Sequence, residues 1–241
     1  MSRDGEQLTF ILPCYDGRMI VVGLDGYSRG WVAVRIEGGR RELSLLGTIS
    51  ELLALTFDRA GIDMPIGLPE RGSRACDIEA RTMLRPHSSR VFTGARRGLW
   101  DHDSQASANE TLKRRGEAGI SIQLWNLGAK ICELDAIMTP ALQLRVREAH
   151  PELVFLRLNF GRPLPSKKTE EGIALRMRLL RREGFVELKD WLADRPPAVK
   201  SDDILDACAV AIAARDFTQG NVLPRGQAMK DAKGLKMQIW H

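Results

Sequence analysis

Five aspartates stand where this sequence could do chemistry: Asp25, Asp63, Asp202, Asp203 and Asp206. Asp25 ends the apolar run Met19 to Leu24 and precedes Gly26. A carboxylate at the mouth of an apolar strand is costly unless something pairs with it. A metal ion is one such partner; a turn-forming role before glycine is the alternative. Asp63 lies in the segment Gly61 to Leu68, two residues before Pro65, and a buried turn former is the simpler reading there. Asp203 and Asp206 are three apart on a helix pattern and share a face, and Asp202 with Asp206 offers a second pairing at four. Capping and the helix dipole account for Asp202 and Asp203 equally well. Asp206, one turn inside the helix beside Ala207 and Cys208, is harder to explain that way.

The elements that must position these acids read as follows. A first strand covers about 19–25, a second 31–37, a hairpin turn Gly38-Gly39, and a third strand 42–46. Ser50 is expected to cap a short helix to about Phe57, and a fourth strand spans Gly61 to Leu68, shortened by its prolines. Residues from Glu70 to about Pro140 read as a helical insertion interrupted by the loop 86–94. Its last helix is expected from Ile120 to Met138, with Leu124, Leu127, Ile131, Leu134 and Met138 at three- and four-residue spacing. A fifth strand is placed at Leu144 to Leu158, broken near Pro151. A basic helix capped by Ser166 or Thr169 follows, then a final helix from Asp202 to Asp216 and a tail with an edge strand near 237–240.

This order predicts a mixed α/β sheet of five strands with helices on its faces, in one domain over 19–241, after an extension at 1–18. If the first and fourth strands are neighbours and the last helix packs on them, three or four carboxylates meet. Their repulsion raises their pKa values unless cations intervene. All-oxygen ligands suit Mg²⁺ or Mn²⁺, and two such ions stabilise the attacking water and the leaving oxygen of a phosphodiester.

The chain has 241 residues, a net charge of +5 and no apolar run long enough to span a membrane. No signal-peptide pattern opens it, and its four scattered cysteines lack metal-ligand spacing. Cys132 and Cys208 are expected as reduced core residues, and the location as cytoplasmic. The basic residues crowd two segments, Arg71 to Arg115 and Arg162 to Arg182, which suits a polyanionic partner such as nucleic acid.

Within those segments Arg90, Arg96 and Arg97 lie in the insertion, where they would hold a phosphate backbone without reading sequence. Lys167 and Lys168 follow Ser166 at a helix start, a place that attracts anions. Lys130 is a further phosphate candidate, or part of a solvated helix face. Glu148 and His150 alternate along the expected fifth strand and face the same way. Trp100 and Trp125 are more readily packing residues than base-stacking ones.

The arrangement of acids and elements resembles the RNase H-like nuclease fold, and Asp203 to Ala209 resembles the closing helix of its Holliday-junction resolvases. More closely, the chain resembles the domain-of-unknown-function family 429, described as predicted nucleases of that fold. The resemblance rests on Gly23-Leu24-Asp25-Gly26 with Gly30-Trp31, on Ile62 to Pro69, on Ser88 to Phe92 and on Lys130 to Asp135. It continues through Glu148 to Glu152, Ser166 to Thr169 and Asp202 to Ala207. It implies metal-binding roles for Asp25, Asp63 and Asp206, with Asp203 or Glu148 as a further ligand. The acid that many RNase H enzymes carry on their first helix has only Glu51 as a candidate, which favours the resolvase-like set. The expected activity is metal-dependent hydrolysis of nucleic acid phosphodiesters by a two-metal mechanism, with the oligomeric state open and a homodimer compatible with it. The alternatives are a binding protein that has lost turnover and, on Asp25-Gly26 alone, an actin-like nucleotide binder; the duplicated Asp-Gly strand unit of the latter is missing.

Overall fold

A computed structural model describes residues 19–217 and 219–241; the expected extension at 1–18, with Cys14, lies outside the described residues. Three strands open the fold: β1 (Ile20–Tyr27), β2 (Gly30–Glu37) and β3 (Arg40–Leu46). A 3₁₀ turn, Ile49–Ala54, leads to β4 (Arg59–Ile62). The insertion carries α1 (Ala75–Met83), α2 (Gln105–Arg114), α3 (Ile122–Asn126) and α4 (Gly128–Ile137). After it come β5 (Val146–Glu148), α5 (Pro151–Leu158), α6 (Glu170–Arg182), α7 (Leu188–Ala193) and α8 (Ser201–Arg215). The tail forms β6 (Val222–Leu223) and β7 (Ile239–Trp240).

The main sheet has the order β3-β2-β1-β4-β5. The first three strands pair antiparallel, and β4 joins β1 and β5 in parallel. This is the expected five-stranded mixed α/β sheet, with the helical insertion after the fourth strand. Period-2 alternation divides β1 between two cores. Val22 and Leu24 face Ile49, Leu52 and the α3–α4 side, while Val21 faces α8.

Helix α8 is buried on every side from Ile204 to Ala214, and much of that stretch is alanine. Its small girth lets it lie directly on the sheet, and two glycines complete the fit. Gly23 on β1 and Gly61 on β4 are register partners. A Cβ on Gly23 would fall within the backbone of Ala207 and Ala211, and one on Gly61 would stand 2.8 Å from Val210 Cγ1. Glycine is present here because a backbone approaches closely.

Several expectations are corrected. The fifth strand is only three residues long, and Pro151–Leu158 is a helix with proline at its first turn, a favoured start. Its near-continuous apolar run is buried on most faces, so it carries no period to tell helix from strand. The fourth strand ends at Ile62, so Asp63 begins the following turn. The helix expected over 120–138 is two helices that meet at Leu127. The short helix before β4 is 3₁₀ and starts from Thr48 rather than Ser50, with Glu51 accepting from Thr48 N–H at 3.0 Å. Cys132 is exposed rather than in the core, whereas Cys208 is buried; both are free thiols.

Candidate active site

The same three-residue unit, glycine, apolar residue, aspartate, occurs twice: Gly23-Leu24-Asp25 lies within β1, which runs on to Tyr27 rather than ending at the acid as expected, and Gly61-Ile62-Asp63 closes β4. Because Gly23 opposes Gly61 and Leu24 opposes Ile62, Asp25 in β1 and Asp63 just past β4 stand at one level. Asp63 N–H still donates to Leu24 O at 3.0 Å, so the ladder holds up to the acid. Residues two apart on a strand share a face. The face on which Gly23 admits α8 therefore also carries Asp25, and Asp206, next to Ala207, is brought to it.

Asp25, Asp63 and Asp206 line one cavity of about 620 Å³. Burial, then the charges of Asp63, Asp206 and Asp203, hold the Asp25 carboxyl well above the usual carboxylate range. Burial is the main cause that pushes Asp63 and Asp206 up to about 7. Asp206 Oδ1 is buried and has no hydrogen-bond partner among the described residues. Gly26 N–H donates to Asp25 Oδ1 at 2.9 Å, so the turn role and the site role of Asp25 coexist.

The cation in this cluster belongs to the protein. Lys167 Nζ donates to Asp206 Oδ2 at 2.6 Å and stands 3.3 Å from Asp202 Oδ2. Its charge also lowers the pKa of Asp25 and Asp63. Lys167 is thus bound to an acid rather than free for a phosphate. Lys168 is exposed at the cavity rim and forms no ion pair among the described residues.

The remaining expected residues are arranged differently. Glu148 lines the cavity, but both its oxygens accept from Arg74, at 2.6 and 2.7 Å, and Oε2 also accepts from Ile66 N–H at 2.8 Å. Arg74 in turn grips Asp77, forming a buried triad that fixes the turn after Asp63. Asp203 Oδ2 accepts from Lys200 N–H at 2.8 Å, which makes it a cap of α8. Arg90 is spent on Glu152, at 2.5 Å, and on Leu164 O; Arg176 completes that cluster from the other side of Glu152. Lys130 donates to Gly30 O at 2.6 Å, lies over the Trp31 ring and packs its stem on Gly26. It therefore fixes the β1–β2 turn. Arg96 and Arg97 are likewise paired, with Glu117 and with Asp135 and Asp231. Trp100 donates to Trp125 O and packs on Gly128, a structural role.

Arg74, Arg90, Arg96, Arg97, Lys167 and Arg176 are therefore internal counter-ions, whereas Arg178, Arg181 and Arg182 of α6 are exposed. Sequence reading missed the arginine–carboxylate triads, because their members lie far apart in the chain. The repeated glycine-apolar-aspartate unit was the available signal for the α8 contact. His150 also faces the cavity; burial pushes its imidazole below the ordinary range, and its buried Nδ1 has no hydrogen-bond partner among the described residues.

A family profile described as "Protein of unknown function (DUF429)" matches residues 23–229. The chain belongs to the DUF429 family. No curated protein and no solved structure matches it. In this DUF429 chain the matched span includes all three clustered aspartates and Lys167, and it ends before Asp231 and β7 of the tail. Among the described residues, no three His, Cys, Asp or Glu side chains form a ready coordination shell. The donor chemistry nonetheless suits a hard divalent cation: three carboxylates face one cavity, their charged forms are disfavoured, and one buried oxygen is unpaired.

Proposed function

We propose that this DUF429 protein is a divalent-ion-dependent phosphodiesterase acting on nucleic acid. The observation that carries the reading is the convergence of Asp25, Asp63 and Asp206 on one cavity, with their negative charge only partly balanced by Lys167. Asp25, Asp63 and Asp206 would hold Mg²⁺ or Mn²⁺. Once bound, such an ion supplies Lewis-acid polarisation of the phosphoryl oxygen and a more acidic water.

The chain's own residues supply position and charge. Arg74 and Glu148 hold the turn that carries Asp63, and Lys130 holds the turn that follows Asp25. Lys168, at the rim, would meet a phosphate oxygen. Neutral His150 has an unpaired buried nitrogen with which to accept a proton within the cavity.

The test is incubation with Mg²⁺ or Mn²⁺ and a panel of branched, single-stranded and hybrid nucleic acids. Cleavage lost in Asp25→Asn supports the reading; no cleavage of any substrate, or cleavage indifferent to that substitution, sinks it. The ammonium of Lys167 among the acids favours a second reading, nucleic-acid binding without turnover. Salt-sensitive binding with no products in the same panel identifies it.

A further inference from the structure

The expected chemistry places two divalent ions in an all-carboxylate site, yet this site already contains a cation. We propose that Lys167 is the resident second cation of the cluster, so that the cavity accepts one divalent ion, at Asp25, Asp63 and Asp206 Oδ1, and retains the lysine on Asp206 Oδ2. This inference rests on the metal-site reading above and fixes its stoichiometry.

The contact geometry is the first support. Lys167 Nζ lies 2.6 Å from Asp206 Oδ2, the distance of a charge-assisted hydrogen bond, and 3.3 Å from Asp202 Oδ2. It thereby bridges two carboxylates one helical turn apart, as a bound ion does.

The second support is that the lysine is delivered by an anchored segment. Thr169 Oγ1 donates to Ser166 O at 2.8 Å and accepts from Gly172 N–H, closing a turn around Lys167 and Lys168. Gly172 is pressed against Ser166 O so closely that no Cβ would fit. Arg176, fully buried, donates to Pro165 O at 3.0 Å and to Glu152 Oε1 at 2.6 Å. Between them these contacts fix the backbone on both sides of Lys167. A surface lysine that happened to reach an acid would have none of this support.

Charge balance is the third. Three carboxylates against one ammonium leave two negative charges, which a single divalent ion cancels. A second ion would make the cavity doubly positive. The wall does not alter the count: the Arg74 triad is one charge negative and the Glu152 triad one charge positive. Beside the cavity, Lys168 offsets Asp202, and Lys200 offsets Asp203, whose charge also acts on Asp25.

The experiment is a Mn²⁺ titration of the full chain followed by electron paramagnetic resonance, which counts bound ions and detects spin-coupled pairs without any turnover. Wild type is expected to bind about one ion per chain, with no coupled-pair signal. Lys167→Met is expected to gain a second, coupled ion, or to bind the first at least about tenfold more tightly, as loss of a neighbouring positive charge dictates. Lys167→Arg, which keeps the charge, should behave as wild type and guards against a folding defect in the methionine variant. Two coupled ions in wild type overturn the proposal and leave the metal-site reading standing. One ion in wild type with no change in Lys167→Met also overturns it. No uptake by any variant overturns both.

Discussion

Asp25, Asp63 and Asp206 are placed where their charged forms are disfavoured, and this has a consequence for stability that needs no substrate. Their folded-state pKa values are raised, to about 7 for Asp63 and Asp206. Between the ordinary carboxylate range near about 4 and that value, the folded chain binds more protons than the unfolded one. Stability of the ion-free protein therefore falls as pH rises through this window. Thermal melting in chelator should give a higher Tm at pH 5.5 than at pH 8. Asp63→Asn should flatten that dependence and raise Tm at pH 8 by about 2–4 °C, the shift that about 1 kcal/mol produces in a chain of this size. A Tm that rises with pH in wild type would contradict the charge assignment. Glu148, with a similar raised pKa of about 7, belongs to a different class because Arg74 already holds both its oxygens. Arg74→Met leaves Glu148 and Asp77 buried without their counter-charge, and chemical denaturation should show a loss of about 3–5 kcal/mol. Glu148→Gln should leave Mn²⁺ stoichiometry unchanged; loss of ion binding there would return Glu148 to the ligand set. Residue type alone had made Glu148 and Asp63 look alike; the partner seventy-four residues away, Arg74, separates them.

At the scale of the element, the site depends on how closely α8 can lie on β1 and β4. Gly23 and Gly61 set that distance, and they do so unequally. A methyl at Gly23 meets backbone atoms of Ala207 and Ala211, which cannot rotate away. At Gly61 it meets Val210, whose Cγ1 belongs to a side chain, although Val210 O is equally near. Gly23→Ala should cost about 3 kcal/mol, the upper part of the range for overpacking, and abolish Mn²⁺ binding by pushing Asp206 outward. Gly61→Ala should cost less and retain binding. Equal midpoints in urea unfolding for the two variants would refute the packing argument. The first three strands and α8 were legible because alternation and apolar runs are strong there. The strand–helix error after Pro151 has a physical origin: Leu153 to Leu156 are buried regardless of direction, and a segment without an exposed face has no period. The break at Leu127 was hidden by apolar spacing that runs through it unchanged.

The whole molecule is closed by its tail, whose role the sequence did not disclose. Its β7 reaches the main sheet next to β5, where His150 N–H donates to Trp240 O at 3.2 Å. Farther back, buried Asp231 accepts from Leu68 N–H at 3.0 Å, from Leu235 N–H at 2.9 Å and from Arg97 at 2.7 Å. One carboxylate thus ties together the tail, the insertion and the turn beyond Asp63. Asp231→Ala strips these donors of their acceptor and should destabilise by about 3–5 kcal/mol in denaturant. Hydrogen exchange should then quicken at Leu68 and Leu235 more than in β2; uniform protection would show that the tail is not coupled to the site. Such long-range ties are invisible to local pattern, since Asp231 is 163 residues from Leu68.

The central claim is that Asp25, Asp63 and Asp206 form a divalent-ion site. Crystals soaked in Mn²⁺ and recorded at the manganese edge test it most directly. The account predicts an anomalous peak about 2.1 Å from carboxylate oxygens of Asp25 and Asp63, a hard-cation ligand distance, with Lys167 still on Asp206. A cavity without a peak at saturating Mn²⁺, or a peak only on acids elsewhere on the surface, would contradict it.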